Sequence, residues 1–165
     1  MEQIEIRKAG IHELETIQKL ALEIWPDTYA PVLSEAQIDY MLRLFYSEKA
    51  LRADFNKQGY YFHLMFVNNI PAGYAGTEQK TKAHWHLHKI YLSQNYQGLG
   101  LGKKLISYVE NIVRDHGGLQ LTLNVNRCNP AQHFYKNCGY SVLKEEDIYI
   151  GSGFWMNDYI MSKDL

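Results

Sequence analysis

The chain reads as an α+β domain: one mixed, mostly antiparallel sheet with helices on both faces. Period-two apolar stretches recur through the middle and end of the sequence, and helical-period stretches separate them. No internal repeat and no Pro/Gly/Ser-rich linker divides the 165 residues. Ile4 and Ile6 alternate with Glu5 and Arg7 as a short strand. Ile11, Leu14, Ile17, Ala21 and Ile24 then recur at helical spacing. Trp25-Pro26 is expected to end that helix, because proline disfavours helical backbone in the residue before it. A loop over residues 27–33 carries Tyr29, and Ser34 with Gln37 marks the capped start of a second helix reaching Phe45. A third helical piece spans 48–57. Strands follow at 60–67, 70–78 and 83–92, the first pair joined by an Asn68-Asn69 turn. Residues 98–102 are a glycine-rich loop opening a helix with Leu101, Leu105, Val109 and Ile112 as its apolar stripe, stopped by Gly117-Gly118. Leu119, Leu121, Leu123 and Val125 alternate with Gln120, Thr122 and Asn124 as a strand. Pro130 starts a short helix to about Asn137, and strands near 140–150 and 154–162 finish the chain.

Composition narrows the function. With 17 Lys+Arg against 18 Asp+Glu the net charge is −1, which lacks the basic excess of a nucleic-acid partner. A chain of this length buries roughly 70% of its unfolded surface, so a single domain over residues 1–165 is expected. The first seven residues lack the apolar core of a signal peptide, and no apolar run approaches the ~18 residues of a membrane span. A cytoplasmic location with no membrane partner is the expectation. Cys128 and Cys138 fit neither a zinc pair nor a disulfide framework. Two buried thiols in a reducing cytoplasm are expected instead. Aromatic residues are in surplus, with 13 Tyr, 6 Phe and 3 Trp beside 7 His.

The most specific segment is Gln97-Gly98-Leu99-Gly100-Leu101-Gly102-Lys103, between a strand and an amphipathic helix. Glycines let the backbone approach a ligand, and a helix start offers unpaired N–H groups and a positive dipole end. That environment suits a pyrophosphate; the plain alternative is a glycine turn. A Walker loop would end in Gly-Lys-Ser/Thr, whereas Lys104 follows Gly102-Lys103 here. A dinucleotide fingerprint would open the first strand–helix unit, whereas this loop follows an antiparallel hairpin.

Downstream stands Asn129-Pro130-Ala131-Gln132-His133-Phe134-Tyr135-Lys136-Asn137-Cys138-Gly139-Tyr140. The strand Lys89-Ile90-Tyr91-Leu92, the Gln97…Gly100…Gly102 loop and this segment, taken in order, resemble the GCN5-related N-acetyltransferase (GNAT) superfamily. The likeness is strongest over residues 85–140 and extends to the order of elements along the chain. It implies an acyl-CoA N-acyltransferase fold, its sheet splayed where acetyl-CoA binds as cosubstrate. The pyrophosphate would lie on the backbone amides of residues 97–103. The pantetheine arm would pair with the backbone of Ile90, Tyr91 and Leu92. Asn124, Asn129 and Phe134 join the implied cofactor set, Asn129 at a position that hydrogen-bonds the arm. Tyr135 matches a tyrosine beside the cofactor sulfur, where an O–H can assist the departing thiolate.

The general base stays open at this level. Many members of the superfamily supply a glutamate from the strand before the loop, but that strand here reads His84-Trp85-His86-Leu87-His88-Lys89. His84, His86 and His88 alternate and should share one face. An imidazole with reference pKa ~6.5 can take the proton of an amine directly or through water. Three such histidines also resemble a zinc set, although the superfamily needs no metal; the plain alternative is a polar strand face. Glu78 is the competing base. The resemblance implies an acceptor pocket built from Trp25 to Leu44, including Tyr29, Glu35, Asp39, Tyr40 and Arg43. Glu35 and Asp39, four apart on one helix face, could meet a cationic amine or else form a solvated face. Residues 151–161 and Tyr40-Met41-Leu42-Arg43-Leu44-Phe45 resemble bacterial polyamine-type acetyltransferases. The expected activity is acetyl transfer to a small primary amine. Modification of a protein N-terminus or lysine and a non-catalytic acyl-CoA-binding module are the alternatives, and a homodimer is compatible with the resemblance.

Overall fold

The computed structural model describes residues 1–165. The elements run β1 (Ile4–Lys8), α1 (Leu14–Tyr29), α2 (Glu35–Tyr46), α3 (Glu48–Asn56), β2 (Tyr60–Val67), β3 (Ile70–Gln79), β4 (His84–Leu92), α4 (Leu101–Asp115), β5 (Gln120–Asn126), α5 (Ala131–Asn137), β6 (Ser141–Gly151) and β7 (Phe154–Asp164). One seven-stranded sheet has the order β1-β2-β3-β4-β5-β7-β6. The β4–β5 pair is parallel and the other five neighbouring pairs are antiparallel.

Local chemistry accounts for most boundaries. The Ser34 hydroxyl accepts from the Gln37 N–H at 3.1 Å, and the Ser47 hydroxyl from the Ala50 N–H at 3.2 Å, so both following helices are side-chain capped. Asn68 and Asn69 take φ of 50° and 67°, the left-handed pair that a two-residue hairpin turn demands. Pro26 does not stop α1, which continues to Tyr29. A proline removes one N–H bond, here in the final turn, and the Ala30 N–H still closes onto the Pro26 carbonyl. Val113 rather than Ile112 completes the buried stripe of α4, because positions 101, 105, 109 and 113 stay on one face. Leu119 lies outside β5 and is exposed.

Two apolar clusters sandwich the sheet. One packs Leu105, Ile106, Val109 and Val113 of α4 onto Trp85, Leu87, Leu121 and Leu123. The other packs α1, α2 and α3 onto Tyr60, Phe62, Leu64 and Tyr74. The two thiols are not buried as expected: Cys128 is exposed and Cys138 half-buried, and both are free. Cys128 sits in the polar turn after β5, and Cys138 caps the end of the short α5.

The feature that positions the site is a fork. β4 and β5 pair from His84/Gln120 only as far as Leu87/Leu123. Beyond that point β4 stays with β3 up to Leu92, and β5 stays with β7 up to Asn126. A bulge marks the parting: Gly76 faces Lys89 and Thr77 faces Leu87, so His88 is the extra residue. A bulge bends its strand and raises the local twist, which turns β4 away from β5.

Candidate active site

A cleft of ≈ 840 Å³ opens at the fork, within the roughly 300–1,000 Å³ typical of ligand pockets. On the α4 side it begins at the glycine loop. Gly98 and Gly100 both take φ of 76°, and a side chain at either would meet nothing within 4 Å. Backbone conformation, rather than space, therefore requires glycine there. No N–H from Gly98 to Lys103 has a backbone acceptor, and Lys104 is the first to donate, to the Gly100 carbonyl. These free donors stand at the positive end of α4, an arrangement that fits a pyrophosphate. The Gln97 side chain ties the loop to β4 by donating to the Leu92 carbonyl at 3.1 Å. A Cβ at Gly102 would sit 3.5 Å from the Phe134 ring, an ordinary van der Waals contact, so the ring packs beside the loop without demanding glycine at this position. Leu99 is exposed and Leu101 buried in the core, so each can offer only backbone.

Ile90, Tyr91 and Leu92 line one prong of the fork and Asn124 the other. Asn129 is buried, and its side-chain oxygen accepts from the Ala131 N–H at 2.9 Å. Its NH₂ is left as the group available to a ligand. Tyr135 lines the same cleft at only 9% exposure. Burial pushes its hydroxyl well above the usual tyrosine range, so it stays a protonated donor.

The histidines share one face but separate into two pairs of contacts. His84 Nε2 and His86 Nδ1 each lie 2.7 Å from the Thr122 hydroxyl. That hydroxyl has one proton, so it donates to one ring and accepts from the other. His88 Nε2 lies 2.7 Å from Glu78 Oε2, and its ring stacks on Tyr60 at 5.3 Å. Burial drops His86 to about 3. It also lowers His88, while the Glu78 hydrogen bond opposes the shift. Glu78 is buried yet held down to about 2 by Lys57 at 2.6 Å, Lys80 at 2.9 Å and His88. His86 and His88 line the cleft; His84 and Glu78 stand behind them.

The opposite side of the cleft is aromatic. The Tyr29 and Tyr91 hydroxyls meet at 2.7 Å, and the Trp25 ring lies 4.7 Å from Tyr29 and 5.5 Å from Tyr91. Met41 of α2 and Met156 of β7 add apolar wall. Glu35 and Asp39 are not there. Ile38, Met41 and Leu42 turn inward, so the helical period puts both carboxylates on the exposed outer face of α2. The sequence reading held Trp25 and Met41 only within the broad acceptor segment and missed Met156 and Asp158 as site residues. The helical phase of α2 could have found Met41; nothing in its neighbours marks Asp158, a β7 residue. Asp158 is 4% exposed and accepts from the Asn124 side chain at 3.2 Å.

Residues 29–163 match the family described as an acetyltransferase (GNAT) domain. The chain is 32% identical over 146 residues to a spermidine N(1)-acetyltransferase of Thermoplasma acidophilum, covering 84% of this chain and 89% of the relative. It is 32% identical over 117 residues to a thialysine N-epsilon-acetyltransferase of Sus scrofa, covering 61% of this chain and 68% of the relative. Its fold is similar to that of the PaiA N-acetyltransferase of Thermoplasma acidophilum, solved in complex with coenzyme A. That likeness has a TM-score of 0.84 and 29% identity over 99% of each chain. The free amides at the loop, the forked sheet and the family match lead to one conclusion: the chain belongs to the GNAT family of acetyl-CoA-dependent N-acetyltransferases.

Proposed function

We propose that this enzyme acetylates a primary amine of a small molecule by direct attack of the amine on the thioester. The carrying observation is that the acceptor end of the cleft is tied shut. Gln37 of α2 donates to the Trp155 carbonyl at 2.7 Å, and the Tyr40 hydroxyl donates to the Ile150 carbonyl. These bonds join α2 to the β6–β7 hairpin across the ground that an open peptide groove would need. The spermidine-acetylating relative supports an amine acceptor. A protein N-terminus or lysine and a silent acyl-CoA module are the weaker readings.

Acetyl-CoA supplies the activated acetyl group when bound; the 98–103 amides would hold its pyrophosphate and the backbone of Ile90 to Leu92 its arm. Backbone N–H groups of that prong are the donors for charge developing on the carbonyl oxygen. The amine nitrogen bonds to the acetyl carbon as the carbon–sulfur bond breaks. We assign the amine proton to His88 and the proton given to the departing thiolate to Tyr135. An ionised Glu78 can only accept, so His88 Nε2 carries the proton and Nδ1 keeps its lone pair. Of the two cleft histidines, His88 is the stronger base, because Glu78 offsets its desolvation and nothing comparable serves His86.

Thiol release from acetyl-CoA, measured with a panel of small amines and N-terminal and lysine peptides, tests the reading. Small amines should turn over and peptides should not. Turnover of peptides alone, or binding of acetyl-CoA with no turnover of any acceptor, would sink it.

A further inference from the structure

The roles above leave Asp158 unused. Among the residues lining the cleft it is the sole Asp or Glu, and it is 4% exposed. The Asn124 amide at 3.2 Å is its one side-chain partner. No cation forms an ion pair with its carboxylate, and Arg127 acts on it only through its charge. Arg127 pairs with Asp147 at 2.6 Å and reaches Asp158 only at its backbone carbonyl, 3.2 Å away. The buried Lys89 ammonium is committed to Asp54 at 3.3 Å and the Tyr60 hydroxyl at 3.0 Å. Burial raises the Asp158 carboxyl above its ordinary 3.8, with the Glu146 charge adding to it and the Asn124 hydrogen bond and Arg127 charge opposing it. An ionised group taken out of water without a counter-charge is costly, and a ligand cation would remove that cost.

Position says which ligand. Asp158 pairs with Asn126 across β5–β7, and alternation puts Asn126 on the same sheet face as Asn124 and Thr122. Thr122 bonds His84 and His86, so this is the base-bearing face covered by α1 and α2, opposite α4. Burial pushes the Tyr29 hydroxyl up to about 12, and the Asp158 charge adds to that shift. The cleft wall is Trp25, Tyr29, Met41 and Met156; the next carboxylate, Glu146, faces Asp158 across β6–β7 and lies outside the cleft lining.

We propose that Asp158 is the binding anion for the acceptor's ammonium, and that the acceptor is a primary amine with a single cationic nitrogen on an apolar alkyl or arylalkyl body. This rests on the amine-acetylation reading above. One N–H of the ammonium engages Asp158 and leaves the other two free for the base. A second ammonium on the same molecule would enter the aromatic wall, where no other cleft-lining residue is a carboxylate.

The test uses the CoA-saturated protein titrated calorimetrically with n-hexylammonium, and with hexan-1-ol as a neutral probe of the same shape. Wild type should bind the ammonium at least about tenfold more tightly than the alcohol, and Asp158→Asn should lose that preference while keeping its CoA affinity. An unchanged preference in Asp158→Asn overturns the proposal. So does a CoA affinity weakened tenfold or more, which would give Asp158 to the cofactor arm. A second arm needs no variant: wild-type kcat/KM should be higher for hexylamine or phenethylamine than for putrescine or spermidine. A tenfold preference for the di- or polyamine overturns the single-charge class even if the variant fails to fold. Asp158-dependent ammonium binding with no thiol release would sink the acetyl-transfer reading alone, whereas thiol release unaffected by Asp158→Asn would sink only this site.

Discussion

The two faces of the sheet bury clusters of 17 and 16 residues, yet they are built differently. The α4 face is mostly Leu, Ile and Val, and the cofactor loop at its edge comes from one contiguous segment. The α1–α2 face carries Trp25, Tyr46, Tyr60, Phe62 and Tyr74, with hydroxyl pairs Tyr74–Tyr46 and Tyr29–Tyr91 each at 2.7 Å. Aliphatic packing is non-directional and tolerant of sequence. A tyrosine wall must satisfy its hydroxyls as well as fill space, so it fixes a pocket of defined shape. The glycine-loop side of the cleft thus rests on local geometry, and the aromatic side on long-range assembly.

Substitutions on each face can break or sharpen that contrast. The largest effect is expected from His88→Ala, a kcat loss of about 10²- to 10⁴-fold with CoA affinity intact. Because burial lowers His88, the acidic limb of the wild-type pH–rate profile should fall below the usual histidine value of 6.5. A limb that does not move in His88→Ala would return the base role to His86. On the opposite face Leu105, fully buried, should cost about 2–5 kcal/mol of stability as Leu105→Ala, read by denaturant unfolding. Tyr135→Phe should lower kcat by about ten- to a hundredfold with unaltered CoA affinity, since a thiolate leaves with modest help. Equal activity would remove Tyr135 from the reaction.

Acid stability gives a smaller effect. Glu78 is held at about 2, below its ordinary 4.5. Its contribution is therefore complete above pH 4.5 and disappears as pH falls through about 2. Glu78→Gln should flatten that part of the stability curve, and an unchanged slope would mean that Lys57 and Lys80 do not hold the carboxylate. Smallest of all, Glu35→Gln and Asp39→Asn should leave stability within about 0.5 kcal/mol, as exposed positions do. A tenfold rise in amine KM in either would place the acceptor on the outside of α2.

Legibility follows the same division. The loop, the first three positions of the α4 stripe and the helix carrying Tyr135 were readable because each depends on neighbours within one or two turns of chain. Glu35 and Asp39 misled because a four-residue spacing says that two carboxylates share a face, not which face is wet. The fork depends on a one-residue bulge, and a strand's alternation does not announce where an extra residue will fall. Asp158 was invisible for a topological reason. β7 inserts between β5 and β6, so a carboxylate near the end of the chain comes to lie beside the open prong of β5. Pro26 shows the limit of a strong local rule, since the packing of Ile17, Leu20, Ala21 and Ile24 carries α1 past it.

The fork has one more consequence. Past Leu87 and Leu123 the sheet has two internal edges facing one another, with backbone amides that no neighbouring strand screens across the gap. These amides should exchange hydrogen with solvent faster than those of the paired half of the same strands, although both halves lie at the molecule's centre. A ligand that bridges the gap acts as a missing strand, so saturating CoA should slow exchange at Ile90–Leu92 and Asn124–Asn126 and raise the melting temperature together. The cofactor would then be a structural member of the sheet as well as a reactant.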